Sequence, residues 1–308
     1  MYARRFSVGD MLGDRGTPRA RLRELLAAGE PVVAPGAYDA LSARLVEQAG
    51  FDAAYMTGFG STASLIGRPD IGLLSAAEMV GNAARIVSAV EVPVIADADT
   101  GYGNAINVLR TVRAYEQAGV AAIHIEDQVM PKKCGHMSGK AVISREEMAG
   151  KVRAAVAARS DPDFLIIVRT DAAAVHGLDD AIDRAKAYAD AGADALFVEA
   201  PADEAGIERV AGKLHGTAPL VFNWAEGGRT PPLPLKRIAE LGFSLVLFPI
   251  GTLLAATAGI RVLLGTLRAD GTPAAALPGL PSFEEFTDLI GLPEVRELEQ
   301  RFATEPPS

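Results

Sequence analysis

Residues 93–126 read PVIADADTGYGNAINVLRTVRAYEQAGVAAIHIE. The stretch opens on a short apolar run, Pro93 to Asp97, crosses an amphipathic segment, Ala105 to Ala118, and ends in a second apolar run, Ala121 to Glu126. That succession predicts strand, helix, strand. A helical crossover between neighbouring strands makes them parallel. Gly119 stands between helix and second strand, where a left-handed backbone needs no Cβ. The runs show little polar alternation, as expected of a sheet buried on both faces.

Working outward, the same unit recurs. Strands are expected at Val32 to Pro35, Ala53 to Thr57, Pro93 to Asp97, Ala121 to Glu126, Phe164 to Thr170, Ala195 to Glu199, Leu220 to Asn223 and Leu245 to Pro249. Helices are expected at Ala40 to Ala49, Ala76 to Ala89, Ala105 to Ala118, Arg145 to Arg159, Leu178 to Ala191, Ala205 to Leu214, Pro234 to Leu241 and Thr252 to Leu267. Gly50, Gly192 and Gly242 punctuate the other units as Gly119 does. This repetition favours an α/β fold of the (β/α)₈ TIM-barrel type over an open sheet. The expected organisation is an N-terminal arm and helix over 1–30, the barrel over 31–268 and a C-terminal helical extension over 269–308. In that extension, Phe283, Phe286, Leu289, Ile290 and Leu298 require cover, either from another subunit or from the chain's own barrel.

The chain has 308 residues, 30 Lys and Arg against 39 Asp and Glu, and a formal charge of −9. A net anion is a poor general ligand for nucleic acid, so small-molecule chemistry is expected. The single cysteine, Cys134, forms no internal disulfide, and the cytoplasm is the expected compartment. The longest apolar stretch, Leu245 to Ala258, is short for a bilayer span and contains Pro249 and Gly251, so no membrane segment is expected.

In a parallel barrel, chemistry sits at the carboxyl ends of the strands. Asp97 and Asp99 share one side of an extended chain, and Glu126 ends the neighbouring strand. These carboxylates either accept loop hydrogen bonds or converge on a hard cation, for which Mg²⁺ is the natural choice and Mn²⁺ a substitute. Lys132, Lys133, Cys134, Gly135 and His136 follow in a glycine-flanked segment that reads as a lid. Cationic neighbours favour a reactive thiol at Cys134, the alternative being an incidental surface cysteine. Arg169 suits a carboxylate or oxyanion, or else an internal ion pair with Asp171 or Glu199. His176 and His215 are expected on the surface.

Taken in order, Pro35-Gly36-Ala37-Tyr38-Asp39-Ala40, Tyr55-Met56-Thr57-Gly58, Gly67-Arg68-Pro69-Asp70, Asp97-Ala98-Asp99, His124-Ile125-Glu126-Asp127-Gln128, Lys132-Lys133-Cys134-Gly135-His136 and Arg169-Thr170-Asp171 resemble the motifs of the isocitrate lyase/phosphoenolpyruvate mutase superfamily. The resemblance implies a Mg²⁺-bound 2-oxo acid or its enolate, and a homotetramer with a C-terminal helix exchanged between neighbours. It further implies that Asp70, Asp97, Asp99 and Glu126 form the metal environment. Tyr55, Thr57, Gly58, Arg169, Glu199 and Asn223 would line the substrate site, and Lys132, Cys134 and His136 would belong to the gating loop, with Cys134 as proton donor. Thr57 stands where the family usually has Ser.

Asn223-Trp224-Ala225-Glu226-Gly227-Gly228-Arg229-Thr230-Pro231 resembles the form seen in dimethylmalate lyases, oxaloacetate hydrolases and some carboxyphosphoenolpyruvate mutases. It adds Thr230 to the substrate residues. Phe59, Trp224 and the Pro249 to Leu253 segment could form an apolar substrate end, or Trp224 could pack under its loop. The implied function is a carbon–carbon lyase acting on a 2-hydroxy dicarboxylate. The alternatives are a phosphonomutase and an oxaloacetate hydrolase or decarboxylase.

Overall fold

Eight parallel strands close into a barrel in sequence order: β1 (Val32–Ala37), β2 (Ala54–Met56), β3 (Val94–Asp97), β4 (Ala122–Glu126), β5 (Leu165–Thr170), β6 (Ala195–Val198), β7 (Leu220–Asn223) and β8 (Phe243–Phe248), with β8 paired back onto β1. The structure is a computed structural model describing residues 18–135, 137 and 139–303. The expected N-terminal arm before Pro18 therefore lies outside the described residues, as does His136.

The helices in chain order are α1 (Pro18–Ala27), α2 (Ala40–Gln48), α3 (Gly58–Ile66), α4 (Ala76–Ala89), α5 (Ala105–Ala118), α6 (Arg145–Ala158), α7 (Leu178–Asp190), α8 (Glu204–Leu214), α9 (Leu235–Glu240), α10 (Gly251–Asp270), α11 (Phe283–Leu289) and α12 (Leu292–Phe302). All eight expected strands are present, with boundaries moved by up to two residues. The punctuating glycines Gly50, Gly119, Gly192 and Gly242 have φ values of 88°, 91°, 105° and 84°, the left-handed backbone that ends each helix. The sequence reading missed α3, whose residues GFGSTASLI have weak helix propensity. It is set from its ends, with Thr57 accepting from the Gly60 amide and Gly67 closing it at φ 61°.

Strand periodicity separates two cores. Ala34, Tyr55, Ile95, Ala122, Ile167, Phe197, Val221 and Leu247 pack together, with Leu22 from α1, in one buried cluster inside the barrel. Met56, Ala96, Ile123, Val168 and Leu196 alternate with them and pack between the strands and the helical layer. Stepping by two along the interior positions leads from Ile95 to Asp97, from Ala122 to His124 and Glu126, from Ile167 to Arg169, from Phe197 to Glu199 and from Val221 to Asn223. The polar site is thus the upper layer of the barrel interior.

No residue of α10 is buried, and Leu254, Ile260, Val262, Leu264 and Leu267 are exposed along it. By length and composition it is the one helix among the described residues that could span a bilayer. Arg261 in its middle would carry a charge into the hydrocarbon at a cost of about 2.5–3.5 kcal/mol, so this apolar surface is better suited to protein contact.

Gly36 shows how tightly the barrel closes. A Cβ there would lie 2.2 Å from the Pro249 carbonyl oxygen and 2.6 Å from its carbon. Gly36→Ala should therefore destabilise the protein by several kcal/mol, whereas Gly50→Ala, with open space around it, should cost about 1–2 kcal/mol for its left-handed backbone. Chemical denaturation of both variants checks this; equal losses would contradict it.

Candidate active site

A cavity of about 240 Å³ opens at the carboxyl ends of the strands. Its wall includes Tyr55, Thr57, Phe59, Asp70, Asp97, Glu126, Lys132, Cys134, Gly135, Arg169, Glu199 and Asn223. Strand pairing places these groups: Asp97 is in register with His124, and Glu126 with Arg169.

Three other expected residues do not line this cavity. Asp99 stands behind Lys132. Gly58 is pressed against Asp97 instead of forming the wall, and a Cβ on it would meet Asp97 Oδ2 at 2.2 Å. Thr230 faces a separate cavity of about 10 Å³ with Val198, Val221 and Phe243, on the far side of Asn223. The linear motif does not reveal that Thr230 lines this second cavity. Trp224 packs as well: its indole donates to the Leu233 carbonyl at 2.9 Å and stacks on Phe248. Phe59, Pro249 and Ile250 remain as the apolar end of the cavity.

Charge governs this mouth. Asp70, Asp97, Asp99, Glu126, Asp171 and Glu199 are all buried there, with exposures no greater than 6%. Among the described residues, Lys132, Arg169 and Lys140 pair with them. Lys132 Nζ lies 2.6 Å from Asp70 and 2.7 Å from Asp99. Burial works against its charge, but Asp99, Asp97 and Asp70 outweigh that and hold its pKa well above the ordinary lysine value. Arg169 donates to Asp171 at 2.9 and 3.0 Å and lies 3.2 Å from Glu126 and 3.8 Å from Glu199. Its internal ion pairing and its place on the cavity wall are therefore both realised. Asp171 lies at about 2 despite burial, because Arg169 and Lys140 favour its charge.

Asp97 is held below its ordinary value despite burial, by His124, Lys132 and Arg169, whereas Asp99 and Glu126 are short of positive charge. Burial pushes Asp99 up to about 7, with Lys132 opposing, and holds Glu126 well above the carboxylate range, with Arg169 opposing. Among the described residues, no three carboxylate, thiol or imidazole side chains are arranged to hold an ion directly; the Lys132 ammonium stands between Asp70 and Asp99. The donor chemistry nevertheless fits a hard divalent cation: carboxylate oxygens in numbers that the protein's own cations do not balance.

Sequence reasoning assigned no role to His124, Gln128 or Lys140. His124 is fully buried, and its Nε2 lies 2.8 Å from the Tyr55 hydroxyl and 3.6 Å from Asp97. Burial lowers its pKa, which favours the neutral ring. Burial likewise holds the Tyr55 pKa well above its ordinary value, so this hydroxyl keeps its proton. Gln128 donates to Glu126 at 2.8 Å and exchanges two hydrogen bonds with the Lys133 backbone. The interior position of His124 on β4 was legible from alternation with Glu126; the Gln128 clamp was not, because its partner lies in the loop. His176 and His215 are exposed as expected.

A family model described as phosphoenolpyruvate phosphomutase matches residues 22–267. The chain is 50% identical over 285 residues to 2,3-dimethylmalate lyase of Eubacterium barkeri, covering 92% of this chain and 98% of the relative. Among solved structures, oxaloacetate acetylhydrolase bound to 3,3-difluorooxalacetate superposes with a TM-score of 0.87 at 38% identity, covering 92% of this chain and 97% of that one. Phosphonopyruvate hydrolase, in complex with oxalate and Mg²⁺, superposes with a TM-score of 0.85 at 35% identity, covering 93% and 99%. Barrel and site thus define an enzyme of one class. The chain belongs to the PEP mutase/isocitrate lyase superfamily.

The contact between Gly58 and Asp97 generates a prediction. Gly58→Ala should displace the Asp97 carboxylate and weaken Mn²⁺ binding by about 10–100-fold, the usual effect of disturbing a ligand's support. Isothermal titration measures it; unchanged affinity in the folded variant would contradict it.

Proposed function

We propose that the chain is a divalent-cation-dependent carbon–carbon lyase that cleaves a 2-hydroxy dicarboxylate of the substituted-malate type into a 2-oxo acid and a carboxylate. The observation that carries this reading is Cys134 on the wall of the same cavity as Arg169, Lys132 and the carboxylate cluster. A departing carboxylate enolate needs a proton donor, whereas in a phosphonomutase the enolate carbon takes up the migrating phosphoryl group and needs none. The 50% identity to a 2,3-dimethylmalate lyase supports the same choice.

Asp97, Asp99, Glu126 and Asp70 would hold Mg²⁺, or Mn²⁺ in its place. The bound ion supplies Lewis-acid polarisation of the 2-hydroxyl and carboxylate oxygens. The substrate hydroxyl gives its proton to the Tyr55 oxygen as Tyr55 passes its own to His124 Nε2. Asp97, 3.6 Å from that nitrogen, offsets the charge His124 acquires. The carbon–carbon bond breaks, its electron pair enters the departing carboxylate fragment as an enolate, and the Cys134 thiol protonates the carbon. Arg169 and Lys132 offset the developing negative charge. Phe59, Pro249 and Ile250 receive the substrate's alkyl substituents. His136 belongs to the same expected loop. The exposed apolar face of α10 supports the expected homotetramer, since such a face requires cover from another chain.

The enzyme with Mg²⁺ is to be incubated separately with 2,3-dimethylmalate, methylisocitrate, citramalate, oxaloacetate and phosphonopyruvate, following 2-oxo acid release and phosphorus NMR. Release from a substituted malate is expected; a response confined to phosphonopyruvate would overturn the reading. Cys134→Ser should lower kcat by about 10²–10⁴-fold while leaving folding and Mn²⁺ affinity unchanged. Full activity in that variant would remove the thiol from the chemistry.

A further inference from the structure

One buried cation takes no part in the chemistry above. The Lys140 side chain is 1% exposed, and its ammonium donates both to Asp171 Oδ1, at 2.7 Å, and to the Gly135 carbonyl. An ammonium is costly to bury unless its donors are used, and here both acceptors adjoin the reacting groups. Gly135 follows Cys134 and lies against the cavity floor. A Cβ on it would stand 2.0 Å from Glu199 Oε1 and 2.5 Å from Arg169 Nη2. Asp171 is the carboxylate that grips Arg169 through both Nε and Nη2. Its own amide donates to Asp127 Oδ1 at 2.9 Å, which ties it to the barrel top.

The loop's stem is firm by comparison. Val129 donates to the Ala141 carbonyl at 2.8 Å, Ile143 to the Asp127 carbonyl at 2.9 Å, and Gln128 bridges antiparallel to Val142. Lys140 leaves the chain at the end of this stem and reaches back to the residue beside the thiol. Its ammonium therefore ties the loop that carries Cys134 to the carboxylate that aims Arg169.

We infer that Lys140 is a positioning residue: by holding the Gly135 carbonyl and Asp171 together it seats the Cys134 thiol over the cavity and sets it against Arg169. The roles of Cys134 and Arg169 rest on the lyase reading, whereas the seating itself does not. Because Cys134 is the only cysteine in the chain, its rate of alkylation by iodoacetamide, followed by intact mass, reports the seating directly.

Lys140→Met in the full-length enzyme should lower kcat for 2,3-dimethylmalate on the order of 100-fold, the effect of misplacing a reacting group by about 1 Å. KM should change far less, and Cys134 should be alkylated about tenfold faster or more as the loop opens locally. Lys140→Arg, which keeps a charged donor for both acceptors, should restore alkylation towards the wild-type rate. Should the methionine variant fail to fold by circular dichroism, Lys140→Gln, whose amide keeps a donor for Asp171, replaces it with the same expected acceleration. Alkylation at the wild-type rate in the folded neutral variant would overturn the inference. Accelerated alkylation in an enzyme that cleaves none of the diacids would sustain the seating role and remove the lyase reading; turnover with unaltered alkylation would do the reverse.

Discussion

The structure depends on an unbalanced electrostatic contact at the barrel mouth, where, among the described residues, six buried carboxyl groups outnumber the cationic side chains that pair with them. Buried charge is tolerated when it is paired and hydrogen-bonded. At the arginine, Asp171 satisfies that condition, held at about 2 by Arg169 and Lys140. Elsewhere it is not met: Lys132 serves both Asp70 and Asp99, burial pushes Asp99 up to about 7, and Glu126 stays well above the carboxylate range although Arg169 lies 3.2 Å away. One part of the cavity is therefore an ion pair that orients a guanidinium. The other is a set of hard oxygen donors lacking positive charge, the condition that a divalent cation relieves.

The barrel makes this imbalance sustainable. Three of the site's charged groups continue interior rows that are apolar one layer below, with Ile95 under Asp97, Ile167 under Arg169 and Phe197 under Glu199. Close backbone approach contributes too, because Gly58 leaves room for Asp97 and Gly135 leaves room for Glu199 and Arg169. The loop beyond β4 is fastened by Gln128 at Lys133 and by Lys140 at Gly135, so the lysine and thiol reach the cavity from a segment with no regular structure of its own. Fastening through buried polar side chains gives such a segment a definite geometry without a core beneath it.

Much of this was legible in the sequence because strand periodicity carries it. The eight apolar runs and the glycines after the helices specify the barrel, and a period of two assigns Asp97, Glu126, Arg169, Glu199 and Asn223 to one lumen. What escaped is what periodicity does not encode. Helix α3 has a composition closer to a loop than to a helix and is held by a threonine cap and a terminal glycine. Thr230 belongs to a motif whose linear form does not show that it lines a second, smaller cavity. Lys140 and Gln128 are ordinary polar residues in sequence, and only the folding back of their loop reveals what they touch. Trp224 shows the converse: a conspicuous residue beside a motif that serves packing.

On the proposed function, the carboxylates at the mouth seat a divalent cation. An anomalous difference map of crystals of the full-length enzyme grown with Mn²⁺ and oxalate should show one strong peak per chain within coordinating reach of the Asp97, Asp99 and Glu126 cluster, with oxalate beside it facing Arg169. A map with no peak in the mouth, or with Mn²⁺ bound elsewhere while Lys132 still bridges Asp70 and Asp99 in the presence of oxalate, would contradict it.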